Sequence, residues 1–206
     1  MTTRTLARRA ALVAATATAA FVLAACGGDG GDSAGHTGHG ASATPGGQAG
    51  ASAHNAQDVS FAQGMIPHHQ QALEMARLAS SRASSARVKD LAARIEKAQD
   101  PEISSMTGWL KAWGEEMPMS GMDHSRHSGM AGMMSTEDMT ALKKATGKDF
   151  DTMFLTMMVD HHKGAVEMAT TEKTKGEYGP ATGMADDIVT AQNAEIKEMN
   201  RLLGKS

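Results

Sequence analysis

From Asp58 to Leu203 apolar side chains recur every third or fourth position and β-branched runs are few, the pattern of helices with one buried face. Alanine, leucine, methionine, glutamate and lysine dominate, all good helix formers. The spacing predicts a first helix from about Asp58 to Ser81 and a second from about Ser84 to Trp113, stopped by Gly114. A third begins near Lys148, with Asp149 and Asp151 favouring its first turn, and ends near Lys175 before Gly176. Pro180 suits the first turn of a fourth, and Gly204 lies just past its end. A shorter helix is expected between them, from Ser135 to Thr146, with Ser135 and Asp138 at capping spacing and Gly147 as terminator.

The long helices are written twice. Phe61 to Ala76, FAQGMIPHHQQALEMA, returns 93 residues later as Phe154 to Ala169, FLTMMVDHHKGAVEMA. The offset holds for AQDPEISSMTGWL and AQNAEIKEMNRLL, and 16 of the 50 positions from Phe61 and from Phe154 are identical without a gap. Chance composition would give roughly three or four. Each repeat is a helical hairpin that cannot cover its own apolar face, so two of them should close on each other. The expected fold is all-α, a four-helix bundle with approximate internal two-fold symmetry and a short extra helix in the long connection. Pro67 and Pro101 occur only in the first copy, where kinks are expected.

Ahead of this body, Arg4, Arg8 and Arg9 precede an apolar run from Ala10 to Ala25 and then Cys26. The run is shorter than the roughly 20 residues of a spanning helix, and residues 1–25 read as a secretory signal. Leu23-Ala24-Ala25-Cys26 resembles a bacterial lipobox, with Cys26 as the lipidated residue and the cell envelope, outside the cytoplasmic membrane, as the destination. Residues 26–57 are Gly, Ser, Ala, Thr and Asp with scattered His36, His39 and His54, a flexible tether whose histidines are incidental. The body follows as repeat one at 58–113, a connection at 114–134, the short helix at 135–146 and repeat two at 148–204 within a domain of 58–206. With Cys26 as the single cysteine, the folded part has no disulfide and no thiolate metal site. Residues 1–25 carry three arginines and no acid, so 17 basic and 23 acidic residues remain of 20 and 23. No basic stripe for nucleic acid is present.

The kept residues carry the chemistry. On a helix Met65 lies over His68 and His69, with Ala72 and then Met75 one and two turns on; Met158, His161, His162, Ala165 and Met168 repeat the arrangement. In the partner helices Gln99, Glu102, Ile103 and Met106 share a stripe, matched by Gln192, Glu195, Ile196 and Met199. If the stripes face the histidines, each half offers imidazole, thioether and carboxylate to the interior. Met75, Met106, Met168 and Met199 taken singly read as core; Glu74 and Glu167 point off the histidine face. Two histidine pairs kept in register with a methionine three residues ahead read as ligands. Thioether with imidazole selects copper, above all Cu(I), and the Glu-x-x-His of di-iron bundles is replaced by Met-x-x-His.

The connection holds a second set, Met117, Met119, Met122, His124, His127, Met130, Met133 and Met134, in a Gly- and Ser-rich setting with no core to fill. Its Met-x-Met and Met-x-x-Met spacings resemble the methionine-rich segments of exported copper-resistance proteins. A sacrificial loop that absorbs oxidants, or a plain spacer, are the other readings.

The two MxxHHxxAxEMA blocks, with Phe61 and Phe154 ahead and AQxxEIxxM behind, resemble the family of domain of unknown function 305, which includes CopM-type copper-binding proteins. The resemblance spans Asp58 to Leu203. It implies a ferritin-like helical bundle, export, and copper binding through Met65, His68, His69, Met158, His161 and His162, with Met75 and Met168 less firmly carried over. The expected function is Cu(I) sequestration or delivery outside the cytoplasm, with a copper donor or acceptor protein as partner and the lipid anchor as membrane contact. No nucleophile and base pair or cofactor loop is visible, so no enzyme is expected. A ferritin-like metal-dependent redox enzyme, or a partner-binding lipoprotein with a sacrificial methionine loop, stand as alternatives. Histidine sites are expected to fail as imidazole protonates at about pH 6, and thioethers to hold.

Overall fold

The computed structural model describes residues 53–118 and 131–205. The signal segment, Cys26, His36, His39 and, in the connection, Met119, Met122, His124, His127 and Met130 lie outside the described residues.

Five helices follow in order: α1 (Ala56–Arg82), α2 (Ala86–Trp113), α3 (Thr136–Lys144), α4 (Gly147–Lys175) and α5 (Gly179–Leu202). Among the described residues there is no strand, only one bridge between Ala83 and Gly147. The ends are set by side chains that satisfy the free amides of a first turn. Asn55 caps α1 by accepting from Gln57 and Asp58 N–H, Asp58 returning the bond to Asn55 N–H; Ser135 and Asp138 form the same reciprocal box on α3. The helical body therefore starts at Asn55 and Ala56, slightly ahead of the expected Asp58. Gly114, at φ 74°, ends α2 in the left-handed conformation that an L side chain adopts only with strain. Both α1 and α2 run unbroken through Pro67 and Pro101.

The hairpins are α1 with α2 and α4 with α5, and they meet through α1 against α4. Those inner helices are antiparallel, which two reciprocal clasps make plain. Asp58, at the start of α1, accepts from Glu177 N–H (3.2 Å) and Tyr178 N–H (3.0 Å) in the turn between α4 and α5. Asp151, 93 positions on, accepts from Ser84 N–H (3.1 Å) and Ser85 N–H (3.0 Å) in the turn between α1 and α2. Sequence reading gave Asp151 to the first turn of its own helix. Its carboxylate instead holds the other hairpin's turn by accepting from these two amides. The outer helices are bridged by Arg94 and Glu198 at 2.6 Å.

One clasp carries a second carboxyl group. Glu172 is fully buried, and neither oxygen has another hydrogen-bond partner among the described residues. Burial, followed by its interaction with Asp58, pushes its pKa up to about 8. Both effects favour the protonated form of Glu172 beside the Asp58 carboxylate. Burial also acts to raise Asp58, but hydrogen bonds from Asn55, Glu172, Tyr178 and Glu177 outweigh it and hold Asp58 below the usual carboxylate range.

Two apolar cores fill the bundle. One gathers Ala72, Met75, Leu91, Ile95, Phe150, Phe154, Met158 and Met199; the other Phe61, Met65, Met106, Leu110, Ala165 and Ile188. Along both inner helices the histidines fall between the stretches that belong to the two cores, so the waist of the bundle is a polar layer. Among the described residues no helix is long and apolar enough to cross a membrane.

Candidate metal centre

The four histidines are buried together at this waist. His68 and His161, from the two inner helices, face each other across the internal two-fold, with ring centroids 3.7 Å apart and planes inclined by 39°. Sequence alone does not indicate this pairing, because each histidine's partner lies in the other repeat. Among the described residues neither ring nitrogen of either residue has a partner at full hydrogen-bond geometry, although the Ala131 backbone lies near enough to His68 to oppose part of the effect of burial. Burial, then the neighbouring His69 and His162, push His68 down to about 3. Burial, then His68, His162 and His69, hold His161 well below the ordinary imidazole range. Both are neutral at physiological pH and present bare lone pairs. Desolvation thus places protonation of this pair well below the ordinary imidazole range.

His69 and His162 are arranged differently. His69 Nε2 lies 2.7 Å from Glu102 Oε2, and His162 Nε2 lies 2.8 Å from Glu195 Oε2. A neutral imidazole whose Nε2–H is donated to carboxylate carries its lone pair on Nδ1, and both Nδ1 atoms are buried without a partner. The glutamates thus orient the rings and leave Nδ1 as the free donor atom. As the helical stripes predict, α2 and α5 turn this face to the histidines. Gln99 and Gln192 are buried there too, each with an unpaired Oε1.

Thioethers stand to either side. Met65 and Met106 are fully buried in one core, with Met168 half-buried against it. Met158, Met199 and Met75 are their repeat equivalents, fully buried in the other. Each set draws one methionine from each of three helices. Among the described residues no group of three or more His, Cys, Asp or Glu side chains stands in a metal-holding arrangement. The donors gathered at and beside the waist are imidazole nitrogens and, in the two cores, thioether sulfurs. That suits a soft ion such as Cu(I) or Ag(I) and disfavours the hard cations.

The connection reaches the waist at its far end. Gln71, one turn past His68, donates its amide to the Met134 carbonyl (2.9 Å) and accepts from Met134 N–H (2.7 Å). Gly164, one turn past His161, lies so close beneath Ala131 that a Cβ there would sit 1.9 Å from its carbonyl oxygen. Residues 131–134 thus form a strap across both inner helices beside the histidine layer. Gln71 and Gly164 are identical in spacing but not in type, which hid them from the comparison of repeats. Met133 and Met134 are half-buried, Met134 against a core, where the composition suggested methionines with none to fill. Met117 is 40% exposed. His54 stacks on Trp113 at 4.3 Å, so this histidine, read as incidental to the tether, packs on the body.

The family model described as "Domain of unknown function (DUF305)" matches residues 58–203. A DUF305 protein from Streptomyces coelicolor, described as secreted, is 32% identical with a TM-score of 0.66, covering 72% of this chain and 93% of its own. A DUF305 fragment from Deinococcus radiodurans is 30% identical at 0.66, covering 74% and 98%. CopM in its Cu(I)-bound form is 35% identical at 0.59, covering 70% and 94%. CopM has also been solved with Cu(II) and with Ag bound. Among curated proteins no sequence matches.

Proposed function

The chain belongs to the DUF305 family, and from that premise we propose that it is an extracytoplasmic copper-binding protein that sequesters Cu(I) or passes it to another carrier. The observation that carries the reading is the partnerless His68 and His161 pair at the waist, flanked by the Nδ1 atoms of His69 and His162. Buried polar atoms in a native fold normally find partners. The unpartnered ring nitrogens of His68 and His161 and the Nδ1 atoms of His69 and His162, between two sets of buried thioethers, are what a soft ion would satisfy. The copper- and silver-bound forms of CopM support the same class of cargo. Export agrees with the N-terminal signal, and anchoring through Cys26 with its lipobox. The connecting methionines would capture the ion, and the strap at Ala131–Met134 would bring it to the waist.

The test is an anaerobic competition for Cu(I) between the mature chain, lacking Cys26, and a coloured chelator, beside a His68, His69, His161, His162 to alanine variant. Tight binding in the parent that weakens at least about a hundredfold in the variant is expected. Binding undiminished in the variant would move the metal to the connection alone, and no competition at all would contradict copper carriage.

A further inference from the structure

The two halves are chemically equivalent but differ in what covers them. In the half holding Met75, helix α3 lies in the seam between α1 and α4. Its Met139 and Leu142 are buried in the same core as Met75, Phe150 and Phe154, with Leu78 and Met153 packed against it. Lys143 of α3 pairs with Glu74 at 2.6 Å.

The seam related to this one by the 93-residue offset is a cavity of about 330 Å³. Among the described residues it is lined by Gln57, Ser60 and Phe61 of α1, by Glu167, Met168 and Thr171 of α4, and by Ala131 of the strap. The substitutions follow the difference in cover. Phe150, Met153 and Leu78 under α3 are answered by Gln57, Ser60 and Thr171 around the cavity, while Met75 and Met168, Glu74 and Glu167, Phe154 and Phe61 correspond. Among the described residues, apolar side chains stand where a helix seals the seam and polar ones where no helix does. Met75 is fully buried and Met168 is not.

We infer that the cavity at Met168 is the route by which a soft metal ion reaches the interior, so that the half with Met65, Met106 and Met168 fills first and the half behind α3 fills slowly. The inference rests on the copper reading above. An ion in the cavity meets the Met168 thioether, with the Glu167 carboxylate at the mouth to attract a cation, and passes to Met65 and Met106 in the same core. The equivalent approach to Met75 is covered by α3, whose displacement would disrupt the burial of Met139 and Leu142 and the Glu74 ion pair; the cleft beside α3, lined by Met153 and Met157, does not include Met75.

Both tryptophans of the chain, Trp109 and Trp113, pack against the open half, so their fluorescence reports its occupancy. The mature chain is mixed anaerobically with Cu(I) supplied in acetonitrile, following tryptophan quenching and chelator-measured uptake together. Two phases are expected, with quenching in the fast one. A Gln57→Phe, Ser60→Met variant, which copies the sealed half, should slow that phase by at least about tenfold without changing final stoichiometry. Protection of Met168 from oxidation by dilute peroxide shows that its seal has formed. A Met139→Ala, Leu142→Ala variant should speed the slow phase. A single phase in the parent, or a sealed variant that fills as fast as the parent, overturns the inference and leaves copper binding standing. Should the Gln57 and Ser60 variant not protect Met168, an unaccelerated slow phase in the α3 variant overturns it instead. A parent that takes up no Cu(I) removes both readings.

Discussion

At the scale of single residues, the histidine pair is costly to the fold it sits in. Four buried ring nitrogens of His68 and His161 that lack a geometric partner among the described residues represent hydration lost with little in return. Replacing both residues by leucine should leave the apo protein at least as stable in urea unfolding, while Cu(I) affinity falls. A pair kept for structure would show the opposite, a drop of several kcal/mol with affinity unchanged. The same burial sets an acid dependence. His68 is pushed from 6.5 to about 3, so between those values the unfolded chain binds the extra proton. Its contribution is fully present above pH 6.5 and is lost as pH falls toward 3, with His161 acting in the same direction. The double leucine variant should flatten the acid limb of the melting temperature. That Glu102 and Met106, and Glu195 and Met199, share stripes able to face the histidines is legible in the sequence because duplication keeps them at one offset; that the two glutamates hold the His69 and His162 rings is not. The facing of His68 and His161 was not, since helical periodicity says nothing about which residue of another helix lies opposite.

At the scale of elements, the turns and the strap hold the bundle together. Asp151→Ala removes the acceptor for Ser84 and Ser85 N–H and frees the turn ahead of α2. A loss of about 1–3 kcal/mol in urea unfolding is expected. Helix starts and stops were readable from Asn, Ser, Asp and Gly at capping positions. The clasps are not legible there, because Asp58 lies three residues ahead of the repeat that begins at Phe61 and because an acidic residue in a first turn has a local explanation of its own. Glu172 adds an alkaline dependence, since its folded pKa of about 8 is raised from 4.5. Its stabilising protonated form is complete below pH 4.5 and lost as pH rises through 8. Glu172→Gln, uncharged throughout, should therefore raise the melting temperature relative to the parent more at pH 9 than at pH 5. An equal difference at both would mean that Glu172 is ionised in the native state. The strap has its own test. Gly164→Ala drives a methyl group into the Ala131 carbonyl, so hydrogen exchange at residues 131–134 should rise while that of α1 and α4 holds.

At the scale of the molecule, duplication explains why so much of the fold could be read. One hairpin, repeated at an offset of 93, implies four helices, a two-fold relation and two equivalent sets of histidine and methionine. The departures from symmetry needed the structure. Helix α3 seals one seam, the strap crosses the waist, and Glu172 enters one clasp where the other repeat has Ala79. Each arises from the connection or from single substitutions that local patterning treats as neutral. The symmetric part is a buried histidine layer between two thioether sets, and whether metal binds there is the central question. The most direct measurement is anomalous diffraction from crystals of the mature chain grown with Ag(I). The account predicts peaks inside the bundle, within bonding distance of a histidine nitrogen and of a sulfur from Met65, Met106 and Met168 or from their equivalents. Peaks confined to the outer surface, with the four histidines unmoved, would contradict it.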